Sequence, residues 1–386
     1  MDNTRLFTWA FFAMMLWLCY QAWQQDYGPK PVQAPVTEDA APLMPEQGDD
    51  LDLPEVPADA GADEVPSLPS GDSAPETSLV VAPPGAVINV RTDVLDLDIS
   101  TVGGTLQRAA LPKYPVAKDR PDEPVFLLST DVQNLGLIRT GLRSTDNAAP
   151  GHDALFAPAT RSYDIGDDDE LAVRMTWSDA AGISVEKTYR FRRGSYQIDV
   201  EQTVTNNADT DWRGDQYSQL LRRSYELERS MFNVDSYSFD GPIVFDGDKS
   251  EKLDRDDLLE DGPYQFTAAN GWVGSIQHHF VNAMIPSRGA QHIYQVRVTG
   301  NTMTASAVGA KQTVAPGESH TFTRTLFVGP KLQDQLGAID KKLKLTVDYG
   351  WLSMLSQPLF WLLAKAYGIF ANWGVAIIMV TILIKL

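Results

Sequence analysis

The stretch that decides the fold is "VEKTYRFRRGSYQIDVEQTV", residues 185–204. Val185, Tyr189 and Phe191 fall on one side of a period-two pattern, and after Arg193-Gly194-Ser195 the same alternation resumes in Tyr196, Ile198 and Val200. Successive side chains of a strand point to opposite faces, so two alternating runs joined by a short Gly-containing turn predict an antiparallel hairpin. The pattern recurs upstream in "VLDLDIS" (94–100), where Leu95, Leu97 and Ile99 alternate with Asp96 and Asp98. It recurs downstream in "TFTRTLFVGP" (321–330), with Phe322, Leu326 and Val328 on one face. Short strands and Gly/Asp turns from 81 to 330 predict a mainly β domain, a large antiparallel sandwich.

Within that domain the sequence offers little chemistry. The five histidines include one adjacent pair, His278 and His279, which on a strand would point to opposite faces and make a poor chelate. "FDGDKSE" (245–251) departs from a calcium loop at its fifth and sixth positions, so a solvated turn is expected. "DDDE" (167–170) reads as an exposed loop. No Gly-rich phosphate loop, nucleophile elbow or zinc spacing is present, so no catalytic residue, cofactor or metal is expected. The net charge of −19 argues against nucleic-acid binding, which needs a basic footprint. The single cysteine, Cys19, excludes a disulfide within these 386 residues.

The flanks have a different character. Residues 6–23, "LFTWAFFAMMLWLCYQAW", are apolar and uncharged, about long enough to span a bilayer. The bulky residues around Cys19 fit a retained anchor (1–25) better than a cleaved signal peptide or a lipoprotein site. Arg5 before the span and Asp26 after it place the N-terminus in the cytoplasm and the sandwich outside. Residues 26–80 are rich in Pro, Ala, Asp and Glu, as in "PEQGDDLDLPEVPADAGADEVPSLPSGD" (45–72), and predict a disordered acidic linker.

After the sandwich, Leu332, Leu336, Ile339 and Leu343 recur at helical spacing and predict an amphipathic helix over 331–346. Residues 349–370, interrupted by Ser353, Ser356, Gln357, Pro358 and Lys365 and carrying Trp351, Trp361 and Tyr367, predict an interfacial helix rather than a second full span. The start of a transmembrane helix follows over 372–386. Counting from Asn372, Lys385 lies about 20 Å along the helix, inside a hydrocarbon core of roughly 30 Å, with Thr381 one turn earlier on the same face. Such a lysine either snorkels to the headgroups or faces a wetted cavity, and spacing alone leaves both open. The helix stops before it clears a membrane, so these residues are expected to be a fragment of a longer protein.

Several stretches together resemble the Gram-negative form of the YidC/Oxa/Alb family of membrane-protein insertases. They are "MDNTR" (1–5) with "QAWQQD" (21–26), "GGTLQRAALPKYP" (103–115), "GWVGSIQHHFVNAMIP" (271–286), "DYGWLSMLSQPLF" (348–360) and "NWGVAIIMVTILIK" (372–385). The resemblance implies a multi-pass protein of the inner membrane: an anchor, a periplasmic mutarotase-like supersandwich, an interfacial helix and a membrane core whose hydrophilic groove carries one positive charge. Lys385 falls on that charge, usually arginine, and Thr381 on a groove threonine. Lysine keeps the charge and loses the bidentate fork. The implied partners are nascent membrane proteins, the lipid bilayer and the Sec translocon with its SecD and SecF components; no cofactor is implied. The rival reading is a membrane-tethered periplasmic carbohydrate-binding or mutarotase-like protein, which needs a His and a carboxylate facing each other in a sandwich cleft.

Overall fold

The hairpin read at 185–204 is present as the strands Ile183–Arg192 and Gln197–Asn206 in a computed structural model, which describes residues 86–145, 147–224, 239–340, 343–346 and 353–385. The N-terminal anchor (1–25) and the acidic linker (26–80) lie outside the described residues. The two strands pair antiparallel with Phe191 opposite Ile198 and Tyr189 opposite Val200. Gly194, at φ 70°, takes the left-handed position that the turn requires.

Among the described residues the strands form two sheets. One has nine strands and runs from Ser250–Lys252 through Gly241–Phe245, Trp272–Ile276, Phe280–Pro286, Ser319–Pro330 and the hairpin to Glu170–Ser178 and Ala157–Pro158. The other has eleven, with Trp212–Arg223 at its centre between Gly136–Ser144 and Thr302–Val308. All pairings are antiparallel except that of Val87–Arg91 with Ser162–Asp164. The alternating residues meet in one core. Leu95, Leu97, Ile99, Tyr189, Ile198, Val200 and Leu326 are fully buried, with Trp212 and Trp272 among the largest side chains inside.

The inward face of the hairpin is not wholly apolar. Lys187 lies opposite Gln202, and both are completely buried. Lys187 Nζ donates to Gly103 O (2.6 Å) and Thr140 O (2.7 Å), both on the eleven-stranded sheet, and sits 5.6 Å from the ring centroids of Phe156 and Tyr189. Two carbonyl acceptors match the two N–H donors of a neutral amine, and burial pushes the Lys187 amine down to about 7. Gln202 Oε1 accepts from Gln216 Nε2 (2.9 Å). Arg324, also buried, donates to Ser218 Oγ (2.8 Å), Ala307 O (3.3 Å) and Gln216 Oε1 (3.4 Å). A polar layer therefore crosses between the sheets, fastened to backbone, amide and hydroxyl oxygens.

Of the segment 331–346, Gln333–Ile339 is α-helical and Leu343–Thr346 is a 3-10 turn; Asp340 between them is extended (φ −148°, ψ 129°). Leu336 and Leu343 are buried and Ile339 packs on the core, whereas Leu332 is the N-cap residue and exposed. The segment is tied to the sandwich at three turns. Gln335 Nε2 donates to Gly194 O (2.9 Å), Arg288 donates to Ile339 O (2.9 Å), and Lys331 Nζ donates to His278 O (3.1 Å). The α-helix ends at Ile339, where the backbone turns extended at Asp340.

Lys187 sets a pH dependence. Its folded pKa of about 7 lies below the unfolded value of 10.5, so between them the unfolded chain binds more protons and stability rises with pH. Denaturation followed by tryptophan fluorescence is expected to show stability rising between pH 7 and 10 at up to about 1.4 kcal/mol per unit, the limit for one proton. Lys187→Met should flatten that slope and, by orphaning two carbonyls, cost about 1–3 kcal/mol or more at pH 7. An unchanged slope in Lys187→Met contradicts the assignment.

Candidate functional site

The two helices that follow the sandwich are here named α1 (Ser353–Phe370) and α2 (Trp373–Lys385). In α1 the half-buried residues Leu359, Leu362, Leu363, Ala366 and Tyr367 recur at helical spacing, while Phe360, Trp361, Lys365 and Ile369 are exposed. The Lys365 ammonium lies 5.9 Å from the Trp361 ring centroid. The connector is two residues long. Ala371 takes φ 48° and its N–H donates to Tyr367 O (2.7 Å). Asn372 caps α2, its Oδ1 accepting from Gly374 N (2.9 Å) and Val375 N (3.2 Å).

α2 contacts α1, and its own buried residues form one narrow stripe. Ala376 and Val380 are buried; the rest of the helix is exposed, including Val375, Ile377, Ile378, Met379, Ile382, Leu383 and Ile384. A helix apolar on every side cannot rest in water. At 100° per residue, the mean direction of Thr381 and Lys385 points about 140° from that of Ala376 and Val380. The structure thus brings Thr381 and Lys385 onto one exposed face, turned away from the buried stripe. Gly374 and Ile378 share it. The Thr381 hydroxyl donates to Ile377 O within its own helix (2.7 Å), so towards any other group it acts as an acceptor. No helix among the described residues is long and apolar enough to cross a membrane; α2 itself spans 13 residues, about 20 Å.

The remaining sequence candidates fall elsewhere. His278 and His279 sit in the turn between Trp272–Ile276 and Phe280–Pro286, not on a strand, with their rings edge-on at 3.9 Å. The turn arises because Gln277 and Phe280 hydrogen-bond to each other across it. Residues 245–251 form a solvated turn in which Asp246 Oδ1 accepts from Asp248 N and Lys249 N, which holds its carboxyl below the usual range. No group of three or more His, Cys, Asp or Glu suited to a metal occurs among the described residues.

The histidines inside the sandwich serve packing. Buried His152 directs Nδ1 to the Tyr217 hydroxyl (2.7 Å), which also accepts from His152 N (2.9 Å). His292 Nδ1 meets Ala290 O (2.8 Å), and burial, reinforced by Arg324, holds its pKa down to about 4. Sequence reasoning missed these, and it missed a cleft of about 760 Å³ bordered by Phe126, Arg108, Asp98, Arg222 and Asp240. Its members are far apart in the chain. Its charges are spent internally: Arg222 grips both oxygens of Asp240 (2.8 and 3.0 Å), and Arg108 lies 3.8 Å from Asp98.

A β-sandwich followed by two helices with exposed apolar surface is the class this architecture defines. Comparison narrows it. The family model for the YidC periplasmic domain matches residues 87–362. The membrane protein insertase YidC of Thioalkalivibrio sulfidiphilus is 38% identical over all of this chain and 69% of its own length. Those of Nitrosococcus oceani and Methylococcus capsulatus are each 36% identical over the whole chain, covering 69% and 68% of their lengths. The chain belongs to the YidC family of membrane protein insertases. Its relatives are named as membrane protein insertases, and the matched family model is that of their periplasmic domain. A solved galactose mutarotase-like protein from Lactobacillus casei aligns with 63% of this chain and 99% of its own at 13% identity and a TM-score of 0.40, too distant for any inference.

The packing around Tyr217 is testable. A Cβ added at Gly141 would sit 2.6 Å from the Tyr217 hydroxyl oxygen. Gly141→Ala is expected to lower unfolding stability by about 1–3 kcal/mol, as overpacking does. A loss below about 0.5 kcal/mol, the range of surface substitutions, contradicts the close packing.

Proposed function

We propose that this chain forms the periplasmic sandwich, the interfacial helix and the beginning of the groove-lining helix of a multi-pass inner-membrane insertase. It acts on nascent membrane proteins, alone or with the Sec translocon and its SecD and SecF components. One observation carries the reading: a helix with apolar surface nearly all round places one cation and one hydroxyl on the face turned away from its neighbour. A charge on such a helix is expensive in lipid and is therefore a functional group by default.

Lys385 supplies a fixed positive field that attracts acidic residues in a substrate's short polar tail. Thr381, whose hydrogen is spent on Ile377 O, receives hydrogen bonds from that tail and keeps the face wetted. The polar tail thus crosses part of the bilayer at reduced cost, and burial of the substrate's apolar helix in lipid supplies the drive. Binding energy suffices for this scheme, so it calls for no nucleotide or metal. α1, with the Trp361–Lys365 pair on its exposed side, lies in the interface with its apolar residues towards lipid.

In proteoliposomes holding the full-length protein, Lys385→Arg is expected to retain insertion. Lys385→Ala and Lys385→Glu should lower it about tenfold for substrates with acidic tails, as loss of about 1.4 kcal/mol would. Substrates with neutral tails should be affected less. Full activity of Lys385→Ala across all substrates overturns the groove reading.

A further inference from the structure

An apolar helix pair joined by two residues could hinge freely, yet here each freedom of the connector is taken up. The Ala371 N–H closes α1 onto Tyr367 O at 2.7 Å, and Ala371 adopts φ 48°, a conformation an alanine rarely adopts. Asn372 satisfies two N–H groups of the first turn of α2, and its carbonyl accepts from Ala376 N (3.0 Å). The rings of Tyr367 and Trp373, one from each helix, stack at 4.0 Å with 12° between their planes. Ala376 and Val380 are the buried residues of α2, and with α1 as its contacting helix they mark the rotation of α2 about its axis.

We propose that Asn372 and the Tyr367–Trp373 stack are positioning residues, locking α1 and α2 into a rigid elbow that aims the Thr381–Lys385 face away from α1 and sets its depth. The inference rests on the groove reading above. Tryptophan and tyrosine settle at the membrane–water interface, so the stack also acts as a depth gauge. Lys385 follows Trp373 by 12 residues, about 18 Å of helix. A connector that swivelled would let Lys385 rotate into lipid or rise towards the headgroups, and the field at the groove would vary between molecules.

The test uses the full-length protein in lipid nanodiscs, with its native cysteines, Cys19 included, replaced by serine and spin labels at Ala364→Cys and Ile382→Cys. The distance between labels is read beside insertion in proteoliposomes. Asn372→Ala and Trp373→Ala are expected to broaden the distance distribution and lower insertion about fivefold, the population change that losing one N-cap brings. Asn372→Ser and Trp373→Phe, which keep the cap and the stack, should restore both readouts. Ala371→Gly, which suits the positive φ, should leave both unchanged, and Ala371→Val should disturb both. A broadened distribution with normal insertion overturns the proposal, as does lost insertion with an unchanged distribution. Either result leaves the groove reading to stand or fall on the Lys385 variants.

Discussion

The sandwich depends on how it accommodates Lys187. A long amine at the centre of a core costs several kcal/mol unless its donors are satisfied. Here the donors are satisfied by the backbone of the facing sheet, at Gly103 O and Thr140 O. That arrangement constrains what surrounds it. Gly103 and Gly104 both adopt positive φ, and a Cβ at Gly104 would stand 3.1 Å from Lys187 Cδ and Nζ. The Tyr189 hydroxyl donates to Gly104 O at 2.5 Å, so the same turn is held twice by one strand. The "GG" that opens residues 103–115 is therefore explained by packing: the turn must approach closely enough to receive the lysine. Arg324 repeats the device further along, with Ser218, Gln216 and Ala307 as its acceptors.

These cross-sheet fastenings make the sandwich a firm base for the segment that leaves it. Gln335, Arg288 and Lys331 tie that segment to three different turns of the domain. After the exit the physics changes. Inside the sandwich, the buried Lys187 amine and Arg324 guanidinium find acceptors in the chain itself. On α2, one ammonium and one hydroxyl stand on a surface that is otherwise apolar and bare. The first arrangement stabilises a fold; the second leaves the Lys385 ammonium and Thr381 on an exposed face.

The sequence revealed some of this and concealed the rest for definable reasons. Alternation exposed the strands, because a half-buried sheet forces period two, and the hairpin at 185–204 has the expected turn at Gly194. The same alternation placed Lys187 and Gln202 on the inward face, a signal that apolar counting passes over. Their partners could not be read, since Thr140 and Gln216 come from distant strands. His278 and His279 were misplaced on a strand because the turn there carries neither glycine nor proline. Helical spacing put Thr381 and Lys385 on one face. Only the buried Ala376–Val380 stripe gives that face a direction relative to α1.

The central claim is directional: the face of α2 opposite α1 meets the substrate. A photo-crosslinking side chain placed at Ile378, about 40° from the mean direction of Thr381 and Lys385, can be compared with one at the equally exposed Leu383, about 40° from the mean direction of Ala376 and Val380. With a stalled nascent membrane protein bound to the full-length insertase, the account predicts a strong adduct from position 378 and little from 383. Equal capture at both positions, or capture at 383 alone, would contradict it.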